Sequence, residues 1–309
     1  MSFSATEAAF EGFRLVRRNP LALVAWTLLY AVLTLATIFF MGPVLGRLED
    51  WSARAEALDS ATEPSLQQVW PLIAEFGAIM GQMAWLVPVS LVVSAMLSAA
   101  VARGVLKPSG GAFGYLRLGM DEVRVLVVSF VLGLLMTIGG MVAFVAVGVT
   151  AGLIAASGGE AATAIAAFIG FLLVIGLFIW LYVRLSLAIP ITVAESRFAF
   201  FDSFRVTRGR FWPLFGMAVL AVVMVMLVQL LSNIVAMPLA LMSGIQSWSF
   251  GDNQDPEVMR AAFDVTNPWV IAHAFVEAIV AALTVGVLYA PFAAAYRDIK
   301  GVAVGEPTV

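Results

Sequence analysis

Of the chain's 309 residues, 62% are hydrophobic and only 12% charged, which excludes a soluble globular domain, where about 45–50% of residues are apolar and about 25% charged. With no cysteine and one histidine, disulfides, thiolate metal sites, a cysteine nucleophile and a bis-histidine haem within the chain are excluded, and no cofactor is expected. The formal net charge of −3 gives no support to nucleic-acid binding, and in a bilayer the distribution of charge between the two sides matters more than its sum.

The composition predicts an all-α, polytopic integral membrane bundle, read in chain order as follows. Residues 1–20 are amphipathic and charged, without the short apolar core and small-residue cleavage site of a signal peptide. Within them, Phe10-Glu11-Gly12-Phe13-Arg14, followed by Arg17, Arg18, Asn19 and Pro20, sets two phenylalanines three apart, puts an acid after the first and gathers arginines ahead of a proline. This is the pattern of an interfacial amphipathic helix, an elbow, that feeds a membrane span. The first span covers about 21–45, since no charge lies between Arg18 and Arg47 and about 20 residues cross the hydrocarbon.

Residues 46–70 read as an acidic loop or surface helix, and span two as about 72–103. The Ser-Gly-Gly turn at 109–111 leads into a second, weaker elbow, Phe113-Gly114-Tyr115-Leu116-Arg117-Leu118 through Arg124. Span three, about 124–156, is longer than one crossing needs and is expected to tilt or to begin as a surface helix. A tight turn, Ser157-Gly158-Gly159-Glu160, precedes span four at about 161–190, where Pro190 predicts a kink or an end. The third elbow, Phe201-Asp202-Ser203-Phe204-Arg205 through Arg208, Gly209, Arg210 and Pro213, repeats the layout of the first. Span five at about 212–244, a second acidic loop at 245–268, span six at about 269–295 and a short tail at 301–309 complete the chain. The whole is one transmembrane domain of three elbow-plus-hairpin units.

Six spans put both termini on one side. That side holds fourteen Lys and Arg residues against three, Arg47, Arg54 and Arg260, on the other. By the positive-inside rule the termini and all elbows face the cytoplasm. Fifteen arginines against two lysines, amid abundant alanine and valine, read as the codon usage of a GC-rich bacterial genome and place the protein in a bacterial cytoplasmic membrane.

With the elbows and spans in place, the chain is similar to a bacterial family of six-span membrane proteins that includes the membrane domains attached to some glycerophosphoryl diester phosphodiesterases. The residues that carry the likeness are Glu195, Ser203 through Trp212, Pro291 and Tyr296-Arg297-Asp298. The resemblance implies a fold and a membrane location, and no phosphodiesterase catalytic domain is expected within these 309 residues.

Two sets of residues are candidates for function. Arg14, Arg17, Arg18, Arg205, Arg208 and Arg210 form two basic clusters beside paired phenylalanines, placed to hold anionic lipid headgroups, although ordinary topology also explains them. Arg184, beside Trp180 and Tyr182, either binds lipid phosphate or snorkels to the interface. The second set lies within the apolar spans. Glu277, with His273 and Thr284 on its helix face, stands at a depth similar to Gln229, Ser232 and Asn233 on span five, and span two adds Gln82. Glu277 either takes a proton or cation in a polar pocket or is a neutral group that glues helices. Gly77 and Gly81, Ala100 and Gly104, Gly148 and Gly152, and Ala282 and Gly286 offer small-residue spacings for close helix approach.

No Walker loop, His-Glu-x-x-His or Gly-x-Ser-x-Gly sequence is present, and the spans contain no aspartate for intramembrane proteolysis. The expected function is therefore non-enzymatic: engagement of membrane lipids, anionic ones in particular, or of a membrane-protein partner at the cytoplasmic headgroup layer. The alternative is a transporter or channel whose polar path passes Glu277.

Overall fold

The computed structural model describes residues 4–59, 65–108, 112–157, 159–243 and 263–301, and among them all regular structure is helical. Two short helices, α1 (Ala5–Ala9) and α2 (Glu11–Arg18), precede α3 (Pro20–Asp59). They are followed by α4 (Leu66–Met83), α5 (Leu86–Leu106), a single 3₁₀ turn at Ala112–Tyr115, and α6 (Met120–Ala156). Next come α7 (Glu160–Leu185), α8 (Ala188–Glu195), α9 (Asp202–Val206), α10 (Phe211–Ser243) and α11 (Pro268–Lys300). Six stretches among the described residues are long and apolar enough to cross a membrane, and the chain is an all-α bundle as its hydropathy predicts. Gly244, the loop residue Arg260, the Ser-Gly-Gly turn, Gly158 and the tail beyond Gly301 lie outside the described residues.

Local chemistry sets the boundaries. Pro20 opens α3 at the one helical position where a missing N–H costs nothing. At the start of α4 the Gln68 side chain accepts the Ser65 N–H at 3.1 Å, and at the start of α6 Glu122 accepts the Gly119 N–H at 2.9 Å, each satisfying an orphan donor. Two breaks follow from proline. Pro88 has no N–H for the carbonyl of Ala84, and the chain turns at Ala84-Trp85 between α4 and α5. Pro190 does the same to Ser186, so the expected kink falls four residues earlier, at Ser186-Leu187 between α7 and α8.

One expectation is narrowed and one corrected. Of the two readings of the acidic segment after the first span, a loop or a surface helix, the helix holds as far as Asp59: α3 is 40 residues or about 60 Å long, twice the hydrocarbon thickness of roughly 30 Å. Contacts with α4 hold this extension. The Trp51 indole donates to the Leu72 carbonyl at 2.7 Å, its ring lies 4.9 Å from that of Phe76, and Arg54 pairs with Glu75 at 2.7 Å. The second elbow is not an amphipathic helix. Phe113, Gly114 and Tyr115 take φ of 52°, 67° and 61°, left-handed values that end a helix, and no helix follows until Met120. The Tyr115 ring is buried against Gly104, and its hydroxyl donates to the Pro108 carbonyl at 3.2 Å, which fixes the turn.

By contacts the chain divides into two units. Unit 1 gathers the residues up to Leu15, Ser94–Val223 and the chain from Gly286; unit 2 gathers Val16–Val93 and Met224–Val285. Within unit 1 the backbone of α2 lies close against α11: a Cβ on Gly12 would sit 2.5 Å from Val287 Cα and 2.6 Å from the Gly286 carbonyl oxygen. Of the four small-residue spacings, those at Gly104 and Gly286 serve such close packing, whereas Gly77, Gly81, Gly148 and Gly152 face open space.

Candidate functional site

The first and third elbows share more than hydropathy. In each, the acid after the first phenylalanine pairs with the arginine three residues on: Glu11 with Arg14 at 3.3 Å, Asp202 with Arg205 at 2.7 Å. Each acid also meets an arginine outside its own helix, Glu11 with Arg297 at 3.5 Å and Asp202 with Arg197 at 2.6 Å. The small residue between the phenylalanines is buried in both, Gly12 against α11 and Ser203 against the α7–α8 break. The sequence pattern Phe-acid-small-Phe-Arg is therefore a docking device: the small residue admits a neighbouring helix, the acid orients the arginine, and the phenylalanines flank them.

At the third elbow the docking is explicit. The break at Ser186-Leu187 frees backbone groups, and the Ser203 hydroxyl accepts the Leu187 N–H at 3.2 Å while donating to the Arg184 carbonyl at 2.6 Å. The Arg184 guanidinium donates to the Phe204 carbonyl at 3.3 Å and to the Thr207 hydroxyl at 3.4 Å, with Trp180 against it at 5.6 Å from the ring centroid. It thus caps the C-terminal carbonyls of α9, where a cation is favoured. Its Nε is buried without a partner. This candidate for lipid contact is engaged inside the protein.

The end of α8, the third elbow and the end of α11 meet through polar side chains in unit 1. Tyr296 donates its hydroxyl to Glu195 at 2.9 Å, Lys300 lies 3.7 Å from the same carboxylate, and Arg197 bridges Glu195 and Asp202 at 2.6 Å each. The Arg197 guanidinium beside Asp202 holds its carboxyl below the ordinary range, outweighing the opposing effect of partial desolvation, with Arg205 adding to the shift. Lys107 donates to the Val193 and Ala194 carbonyls at 3.3 and 3.4 Å and closes the end of α8. Arg103 and Glu122 form a buried ion pair whose carboxylate also caps α6. Neither residue stood out in the sequence, where Arg103 counts only towards topology. The signal for Glu122 was its place three residues after Gly119, the spacing of a helix-capping acid.

Four elbow arginines have no such role. Arg17, Arg18, Arg208 and Arg210 are exposed and make no ion pair among the described residues. Arg14 and Arg205 are also exposed but are tied to their acids. Phe13, Phe201 and Trp212 stand exposed at the same elbows, at 39%, 59% and 75%. Arg17 and Arg18 end α2, whereas Arg208 and Arg210 lie in the turn after α9; cations beside unburied aromatic rings are what an interfacial segment presents to a headgroup layer.

The polar residues of the spans, all in unit 2, do not converge. Gln82, Gln229 and Asn233 are exposed, and Asn233 donates back to the Gln229 carbonyl of its own helix at 2.8 Å. Glu277 and His273 are half-buried on α11 and make no hydrogen bond among the described residues. The Ser232 and Thr284 hydroxyls are buried without partners.

Comparison with curated proteins and with solved structures finds no match. A family model does match, over residues 4–299, nearly the whole of the bundle and its elbows. The chain belongs to the family described as a domain of unknown function, DUF7847.

Proposed function

We propose that this chain is a non-enzymatic multi-pass protein of a bacterial cytoplasmic membrane, with both termini cytoplasmic, that engages anionic lipids through its first and third elbows. The observation that carries the reading is the set of exposed arginines, Arg17, Arg18, Arg208 and Arg210, unpaired among the described residues and set beside exposed aromatic rings. Intramolecular pairs already occupy Arg14, Arg184 and Arg205. A cation free of protein partners next to an anionic surface contributes on the order of 1 kcal/mol, so two on each elbow give a preference that ordinary topology does not require. The transport alternative has less support, because Gln82, Gln229 and Asn233 face outward and leave Glu277 and His273 without the polar company a path needs.

The test is thermal unfolding in bilayer nanodiscs with and without phosphatidylglycerol. A lipid that binds the folded state raises its stability by mass action. Phosphatidylglycerol is expected to raise the midpoint of the wild-type protein and to leave that of an Arg17→Gln, Arg18→Gln, Arg208→Gln, Arg210→Gln variant unchanged. An equal rise in both overturns the reading.

A further inference from the structure

Unit 1 contains a cavity of about 260 Å³ beside the break on which the third elbow docks. It lies between α5, α6, α7, the α7–α8 break and α11. A dry apolar cavity of about 150 Å³ suffices to hold a benzene ring, so this one has room for a larger group. Its wall is unusual for the middle of apolar helices, because it carries six hydroxyls: Ser94, Ser98, Ser129, Tyr182, Ser186 and Tyr289.

Their hydrogen bonds decide what the cavity accepts. Ser98 donates its proton to the Ala95 carbonyl at 3.1 Å and Ser186 to the Val183 carbonyl at 2.8 Å, so each offers only acceptor lone pairs to an occupant. Ser94, Ser129, Tyr182 and Tyr289 have no hydrogen-bond partner among the described residues, so each offers both a donor and an acceptor. Pro190, which also lines the cavity, has no N–H to give the Ser186 carbonyl. No charged side chain lines the cavity. A charged headgroup placed here would meet no counter-charge and be desolvated at high cost. A pure hydrocarbon would leave the hydroxyls unmatched.

The shape adds a direction. The lining of α5 runs from Ser94 through Ser98 to Ala102, one helix face about 12 Å long. Ser94, Gly133 and Tyr182 are exposed on apolar helices, so the cavity opens sideways through surfaces suited to lipid.

We propose that this cavity is a binding site for an uncharged lipid whose head bears hydroxyl and ester groups, of the monoacylglycerol type. The head is held by the serine and tyrosine hydroxyls, and the acyl chain leaves through the opening at Gly133. The site is separate from the elbow arginines and does not depend on their role.

Gly133 supplies the test, because a Cβ built there meets nothing within 4 Å and a larger side chain fills the opening without displacing backbone. Leucine also favours the helix over glycine. The probe is a monoacylglycerol with a diazirine in its acyl chain, photolysed with the full-length protein in nanodiscs. Saturable labelling of peptides spanning 94–102, 129–136 or 182–190 is expected, and it should fall by about tenfold or more in Gly133→Leu. Ser94→Leu, an exposed change at the rim, serves as the second variant should Gly133→Leu fold poorly. Labelling should persist when Arg17, Arg18, Arg208 and Arg210 are replaced by Gln. Labelling that does not saturate, that is unchanged in both leucine variants, or that is matched by a phosphatidylglycerol bearing the same diazirine overturns the proposal.

Discussion

Ser203 and Arg184 hold one another: the Ser203 hydroxyl donates to the Arg184 carbonyl at 2.6 Å, and the Arg184 guanidinium donates to the Phe204 carbonyl, one residue past Ser203, at 3.3 Å. The third elbow is thus fastened to the break between α7 and α8 that Pro190 creates. Replacing Ser203 with Ala removes the donor to Arg184 and leaves the buried Leu187 N–H without its acceptor, a loss of roughly 1–3 kcal/mol. Thermal unfolding in detergent should show a lower midpoint for Ser203→Ala, whereas Ser203→Thr, which keeps the hydroxyl, should recover much of it. A Ser203→Ala protein as stable as the wild type would separate the elbow from the break.

At the first elbow, Gly12→Ala should be destabilising by about 1–3 kcal/mol, because the added methyl meets the backbone of Gly286 and Val287, which cannot rotate aside. Gly148→Ala, at a glycine that faces open space on α6, is the control and should be neutral or slightly stabilising. The difference between the two midpoints measures how closely α2 and α11 are packed.

The buried Arg103–Glu122 pair makes a prediction about asymmetry. Arg103→Met or Glu122→Leu alone leaves an unpaired buried charge and should cost roughly 3–5 kcal/mol. The double variant should be closer to wild type than either single variant, since replacing a whole buried pair by apolar residues is often neutral. Glu122→Leu also removes the cap at Gly119, so that full recovery is not expected. Additive losses would show that the two residues act independently.

Acid should loosen the third elbow. Asp202 has its carboxyl held below the ordinary 3.8 chiefly by the Arg197 guanidinium, then by Arg205. A lowered folded-state value means that the stabilisation is fully present above 3.8 and is lost as pH falls through the lower, folded value. Melting midpoints of wild type and Asp202→Asn should therefore differ at neutral pH and converge in strong acid. A gap that is constant with pH would remove Asp202 from the linkage.

The spans were legible because long uncharged runs have one physical solution in a bilayer, and Pro20 and Pro190 marked a start and a break, whereas Pro43, Pro71, Pro238 and Pro291 lie inside continuous helices. The segment from Gly46 to Asp59 read as either a loop or a surface helix, since charged residues on a helix that leaves the hydrocarbon look like a loop until Trp51 and Arg54 find Leu72 and Glu75. The second elbow misled because hydropathy cannot see φ. Phe113 and Tyr115 have the right apolarity, yet take left-handed backbone and turn the chain. At the elbows the sequence marked the arginines but not which of them the protein keeps for itself, since Arg184 is bound by Phe204 and Thr207, twenty or more residues away. Polar residues in the spans suggested a cluster by depth alone, and depth leaves open which way Gln82 and Asn233 face around their helices.

The most direct test of the lipid reading is native mass spectrometry of the protein extracted with its surrounding membrane in polymer nanodiscs. Wild type is compared with two variants, Arg14→Gln with Arg205→Gln, and Arg17→Gln with Arg18→Gln, Arg208→Gln and Arg210→Gln. The account predicts enrichment of anionic lipid on the wild-type protein, lost in the variant without the four unpaired arginines and largely kept in the one without the two paired arginines. Equal enrichment in all three proteins, or a stoichiometric protein partner in place of enriched lipid, would contradict it.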